Sequence, residues 1–356
     1  MITPIKNNYY NQQHLPIFQP TFMGGLSSNA EKHFRKIEFC ARKVVNTFSD
    51  YFQKQNNEQL YNDLLTVERK SPQYMRIMSQ VGRLLSTPKE LEINLEDKRI
   101  EKIAKSGKPH IFIMNHDRQT QDPQMLAFFT TLLSEEYVKT GQAHSCPRPR
   151  IILNEDIILS MDEQNKQIFE KMGAVPIDAS LNSPDSRKNA VQFLSLVREF
   201  IRGESNIFIF PEGKNAIWKD MPLKNKFALG TGEIVNKLTD KMPEVNIVPI
   251  GFGYPKKGLF NKSKGNSIYI GETVTFRKED NHIYSNVANL TSRHTDKEFV
   301  SFFNSRKEAI LTEKGIPVEG KEIPYYINGI LCENLRVCKD EALERLPDKK
   351  KEIIEL

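Results

Sequence analysis

Residues 111–123 read IFIMNHDRQTQDP. Four apolar residues, Ile111 to Met114, stop abruptly at Asn115-His116. A polar stretch follows. Asp122-Pro123 then opens an apolar helical pattern through Met125, Leu126, Phe128, Phe129, Leu132 and Leu133. A short apolar run bounded by polar residues predicts a buried strand. Aspartate suits a helix N-cap and proline the first helical position, so the spacing predicts a helix capped by Asp122. His116 and Asp122 then share a loop between the carboxyl end of a strand and the start of a helix, where ligands bind in α/β proteins. An imidazole beside a carboxylate can take a proton from a hydroxyl, the carboxylate fixing the tautomer and stabilising the imidazolium. Taken alone, the pair reads at least as well as a loop histidine on backbone and an aspartate that only caps a helix. The rest of the chain decides.

Downstream, strands and helices alternate. Ile151–Asn154, Ala174–Asp178, Ile207–Phe210, Asn246–Phe252 and Ser267–Phe276 read as strands, the last as one or two. Between them lie helical patterns at about 162–172, 186–202 and 228–238, the first ending at Gly173 and the second at Gly203. This alternation predicts an α/β fold, a mixed sheet flanked by helices. Residues 90–105 read as a charged helix before the first strand. A helical N-terminal section is expected over 29–88, the α/β domain over 89–280 and a helical C-terminal extension over 281–356. Residues 1–28, rich in Asn, Gln, Pro and Gly without periodicity, are expected to be extended or disordered.

Residues 30–56 place Phe34, Ile37, Cys40, Ala41, Val44, Val45, Phe48 and Phe52 at helical spacing, with Lys32, Arg35, Lys36, Arg42 and Lys43 between them. Two readings stand: a helix packed on the domain, or a helix lying on an anionic membrane surface. Fifty-one Lys and Arg against 45 Asp and Glu give a net charge of +6 over 356 residues. That excess suits an anionic substrate or membrane and is too small to argue for nucleic acid. The four cysteines, Cys40, Cys146, Cys332 and Cys338, lack paired metal-ligand spacing and read as reduced thiols. No stretch approaches the roughly 18 apolar residues of a spanning helix, and the opening residues do not read as a signal peptide. A cytoplasmic protein, peripheral on the inner face of the membrane, is the expectation.

Four blocks now fall in order at strand ends: NHDRQTQDP at 115–123, GAVPIDAS at 173–180, IFIFPEGKN at 207–215 and IVPIGFGY at 247–254. Over roughly 100–275 the chain resembles the glycerolipid acyltransferases, meaning the glycerol-3-phosphate and lysophosphatidate acyltransferases. That family shows an Asn-His-x4-Asp block, a Gly-x-x-x-Ile-Asp-Arg block, a Phe-Pro-Glu-Gly-Thr-Arg-Ser block and a Val-Pro block. The resemblance implies His116 as general base and Asp122 as its orienting carboxylate. It implies that Glu212 and Gly213 line the acceptor pocket and that Pro249 shapes the acyl site. It further implies an acyl-CoA or acyl carrier protein co-substrate, a glycerol phosphate or lysophospholipid acceptor, and no bound cofactor or metal.

The chain departs from the family pattern at three places. Five residues separate His116 from Asp122, not four. Ala179 stands where the family has arginine, which leaves Arg187 or Lys188 to supply a cation for phosphate. Lys214-Asn215-Ala216 replaces Thr-Arg-Ser; Lys214 keeps the charge without the guanidinium fork that suits phosphate. Lys214, Lys219, Lys224 and Lys226 read either as a solvated face or as an anion-binding loop, and Trp218 as packing or an interfacial anchor. Two rival functions stay open beside acyl transfer: a catalytically weakened lipid- or anion-binding protein, and a thioesterase. On the interfacial reading of 30–56, deleting that segment abolishes co-sedimentation with anionic liposomes. Unchanged co-sedimentation selects the packed helix.

Overall fold

The computed structural model describes residues 58–69, 71–85, 91–116, 121–144, 146–159, 163–177, 186–211, 226–255, 265–279, 282–286 and 322–346. The expectations for 1–28, for the helix over 30–56 and for residues 287–321 of the helical extension lie outside these residues. The described elements are α1 (Glu58–Thr66), α2 (Pro72–Leu85), β1 (Leu91–Ile93), α3 (Arg99–Ser106), β2 (His110–Met114), α4 (Asp122–Lys139), β3 (Arg148–Asn154), α5 (Glu155–Leu159) and α6 (Glu163–Lys171). They continue with β4 (Ala174–Ile177), α7 (Ser186–Ile201), β5 (Ser205–Ile209), α8 (Lys226–Thr239), β6 (Val245–Gly253), β7 (Asn266–Ile270), β8 (Val274–Glu279), β9 (His282–Ser285) and α9 (Glu322–Glu344).

The strands form one mixed sheet, ordered β1-β7-β6-β2-β5-β3-β4. From β6 to β4 all neighbours are parallel. β7 runs antiparallel along the carboxyl half of β6 and β8 antiparallel along its amino half, with β9 beside β8. The expected alternation is thus present, and 267–276 resolves into two strands. Two local expectations fail. Residues 91–93 form a strand paired with β7 ahead of the charged helix, which starts only at Arg99. The last part of the chain, expected to be helical from 281, first contributes β9 to the sheet and only then the helix α9.

Both faces of the sheet are covered, so its central strands read as unbroken apolar runs. Side chains alternate along each strand. Phe112, Met114, Phe208, Val248, Ile250 and Phe252 share one core with helices α1–α4 and α6. Ile111, Ile113, Ile207, Ile209, Val245 and Ile247 share the other with α7, α8 and α9. Buried polar groups close the lower rim. His110 N–H donates to Asn206 Oδ1 at 2.8 Å, and the Arg148 guanidinium bonds the carbonyls of Arg69, Ala143 and Cys146. The basic approach to β3 is therefore in part a structural clamp on the link between α1 and α2.

α9 approaches the sheet by its backbone. A Cβ placed on Gly251 or Gly253 would overlap the carbonyl of Cys338 or of Ala342, and one on Gly232 of α8 the carbonyl of Pro324. Only glycine permits this approach. No helix among the described residues is long and apolar enough to cross a membrane.

Two stability predictions follow from these contacts. Gly251→Ala should lower unfolding free energy by about 1–3 kcal/mol through overpacking, read as a shift of the urea midpoint. His110 is 3% exposed, and burial pushes its pKa down from the ordinary 6.5 to about 4. Between those values the unfolded chain binds more protons than the folded one. Stability is therefore lost as pH falls from 6.5 toward 4, by about 3 kcal/mol in all. His110→Asn should flatten that slope in urea titrations at stepped pH.

Candidate active site

Side-chain parity gathers the site. β2, β5 and β6 are parallel neighbours, and the residues facing α4 alternate along each. Continuing the alternation past the strand ends gives His116 after β2, Phe210 after β5 and Tyr254 after β6. These three meet over the amino end of α4, where Asp122 lies.

His116 Nδ1 is 2.7 Å from Asp122 Oδ2. The aspartate side chain is fully buried, whereas the His116 side chain is 23% exposed. A carboxylate only accepts, so Nδ1–H donates and Nε2 is the nitrogen that presents a lone pair. The Tyr254 hydroxyl donates to the other oxygen, Asp122 Oδ1. Tyr254 is itself 4% exposed. A buried carboxylate needs such donors, and its place in the first turn of α4 adds the favourable end of the helix dipole.

The loop is fixed from its other side as well. Asn115 is fully buried. Its Oδ1 accepts from Phe252 N–H at 2.6 Å, and its Nδ2 donates to the Phe252 carbonyl at 3.0 Å. This side chain adds a rung to the β2–β6 ladder, whose last backbone register pair is Met114 with Ile250. The His116 ring lies 5.0 Å from Phe210, and Phe210 lies 6.5 Å from Phe252, centroid to centroid. Beneath them Phe112 stacks on Phe208 at 4.7 Å, with Phe129 edge-on to Phe112 at 5.3 Å. The histidine thus stands on an aromatic floor that leaves its ring few alternative positions.

One expectation about this loop is corrected. Asp122 is the first residue of α4, and Gln121 holds the cap position. The helix starts one residue earlier relative to Asp122 than expected, and Asp122 turns its carboxylate to His116 and Tyr254. Pro123 remains in the first turn.

The other expected site residues are placed less closely. Pro249 lies inside β6 opposite Ile113, its carbonyl accepting from Gly271 N–H at 2.8 Å. By parity it belongs with Ile247 and Gly251 on the α9 side, not with the residues around His116. Arg187 and Lys188 fall in the first turn of α7, after β4, and their side chains lie outside the described residues. Glu212, Gly213, Lys214, Lys219, Lys224 and Trp218 lie outside them too, as does the side chain of Lys226. Cys146 is buried with Arg148 Nη1 2.7 Å from its sulfur, and burial pushes the thiol pKa up, which favours the unreactive form. A cleft of about 270 Å³ lined by Ile152, Ile177, Phe193 and Ile234 opens on the sheet face away from His116.

Residues 92–253 match the acyltransferase family model. Over these residues, a little under half of the chain, the protein is similar to the acyltransferases. The match to the acyltransferase family runs from β1 through β6 and takes in His116 and Asp122; Tyr254 is the next residue after it. No curated protein matches the chain. The match supports a general acyltransferase role.

Tyr254 and Asn115 hydrogen-bond into this arrangement, and the sequence reading assigned neither a place in it. Both stand in quoted blocks, NHDRQTQDP and IVPIGFGY. The signal for Tyr254 was its position: one residue past an apolar run whose neighbour in the sheet ends at the histidine.

Proposed function

We propose that the chain is an O-acyltransferase that moves a fatty acyl group from acyl-CoA or acyl carrier protein to the hydroxyl of a glycerol phosphate or lysophospholipid. The observation that carries this reading is the 2.7 Å contact between His116 Nδ1 and the buried Asp122 carboxylate, inside an acyltransferase-family domain. His116 Nε2 takes the acceptor hydroxyl proton as the oxygen attacks the thioester carbonyl. Asp122 holds the ring in the required tautomer and stabilises the imidazolium that forms. The tetrahedral intermediate collapses by breaking the carbon–sulfur bond, and the imidazolium returns the proton to the thiolate. Ester and free thiol leave. No acyl-enzyme, bound cofactor or metal enters this scheme.

Glu212 and Gly213 are assigned to the acceptor pocket, and Lys214, Arg187 and Lys188 to the acceptor's anionic group. Lysines binding phosphate as point charges fit an acceptor site that lacks the family's arginines. Pro249 is retained only as an indirect support of the acyl wall, since it sits on the other sheet face. The site is proposed to work at the cytoplasmic surface of an anionic membrane.

The test is thiol release from palmitoyl-CoA and palmitoyl carrier protein, with glycerol 3-phosphate, with lysophosphatidate and without acceptor. Acceptor-dependent release is expected, falling roughly 10²–10⁴-fold in His116→Ala. Release that needs no acceptor but needs His116 would make the protein a thioesterase. Absence of release with every acceptor would favour a binding protein.

A further inference from the structure

We infer that Tyr254 is a positioning residue of the catalytic pair, acting on His116 through Asp122. This rests on the acyl-transfer reading of the site. The geometry gives each Asp122 oxygen its own donor: His116 on Oδ2 and Tyr254 on Oδ1. A carboxylate gripped at one oxygen swings about its Cβ–Cγ bond; gripped at both, it is fixed in plane and presents Oδ2 to the imidazole at one angle. The buried phenol also supplies a hydrogen bond that favours the ionised carboxylate, the form that can stabilise an imidazolium.

The grip is anchored on the sheet. Tyr254 follows directly on β6, where Phe252 is clamped by Asn115 and Gly251 and Gly253 lie under α9. The residue after β6 therefore has a fixed place relative to the loop after β2. This explains how the chain works with one residue more than the family pattern between histidine and aspartate. The carboxylate is located by β6 as well as by its own loop.

Tyr254→Phe removes the hydroxyl and keeps the ring. With the acceptor identified by the assay above, kcat should fall roughly 10- to 100-fold, as expected for losing one hydrogen bond to a charged group, with KM little changed. In an Asp122→Asn background the same substitution should change kcat by less than about two-fold, because the two residues act as one unit. Thermal midpoints of all variants are read alongside. A Tyr254→Phe enzyme with wild-type kcat overturns the inference. So does an equal loss in both backgrounds, or a raised KM with a lowered midpoint, either of which marks a merely structural ring. His116→Ala, run beside them, separates the two failures. Retained acceptor-dependent activity there overturns His116 as the base, and with it the reading of the pair on which this inference rests, whereas its loss with an unaffected Tyr254→Phe overturns only the role of Tyr254.

Discussion

A carboxylate with no exposed surface survives in a protein only where donors replace the water it has lost, and Asp122 is such a group. Its two oxygens draw in His116 and Tyr254 from different strand ends, and its backbone begins α4. One buried charge thus ties together β2, β6 and the first turn of α4, the longest described helix packed on that face. The requirement works in both directions. The site needs the sheet to bring the donors together, and the closure of the sheet's carboxyl edge needs the charge to be satisfied. Polar groups at the opposite edge follow the same rule with neutral partners: Asn206 bonds His110 N–H and the Pro147 carbonyl, and Arg148 is spent on carbonyls.

β6 carries more of this arrangement than any other strand. It pairs with β2, β7 and β8, and it is buried along its whole length. The glycines that let α9 lie against it alternate with Val248, Ile250 and Phe252, which face α4. One strand thereby meets a helix backbone on one face and supports the aromatic floor beneath His116 on the other. The C-terminal helix, some 70 residues beyond the family match, is therefore mechanically continuous with the site through Gly251, Phe252 and Asn115. Packed interiors transmit such constraints because they offer few alternative arrangements.

Much of this was legible beforehand, and the reasons differ by element. The central strands announced themselves as apolar runs because both sheet faces are covered. His116 and Asp122 were legible because a strand end, a polar loop and a proline-started helix leave little choice of geometry. β1 was not legible: three residues paired only with β7 leave a trace too short for any period. α9 falls within the helical C-terminal extension that was expected, and Ile327, Ile330, Leu331, Leu335, Cys338 and Ala342 repeat along it at helical spacing. Pro249 shows what a block leaves open. The Val-Pro block places it correctly in a strand, but parity turns it toward α9, and block membership does not reveal which face a residue takes.

Parity also explains why the longer His-to-Asp spacing does not separate the pair. A loop count fixes neither end of a side-chain contact. What fixes His116 is its place two residues past Met114 on the α4-facing register of β2. What fixes Asp122 is the first turn of a helix seated on that face by Met125, Leu126, Phe129 and Leu133. The loop between them has only to connect two positions already determined by packing. An additional loop residue adds little closure entropy, a logarithmic function of length. Displacement of α4 along the sheet by one residue would carry the carboxylate away from both donors. Spacing in a motif is thus a proxy for the positions of the elements that flank it, and here those elements hold the contact at 2.7 Å while the count changes.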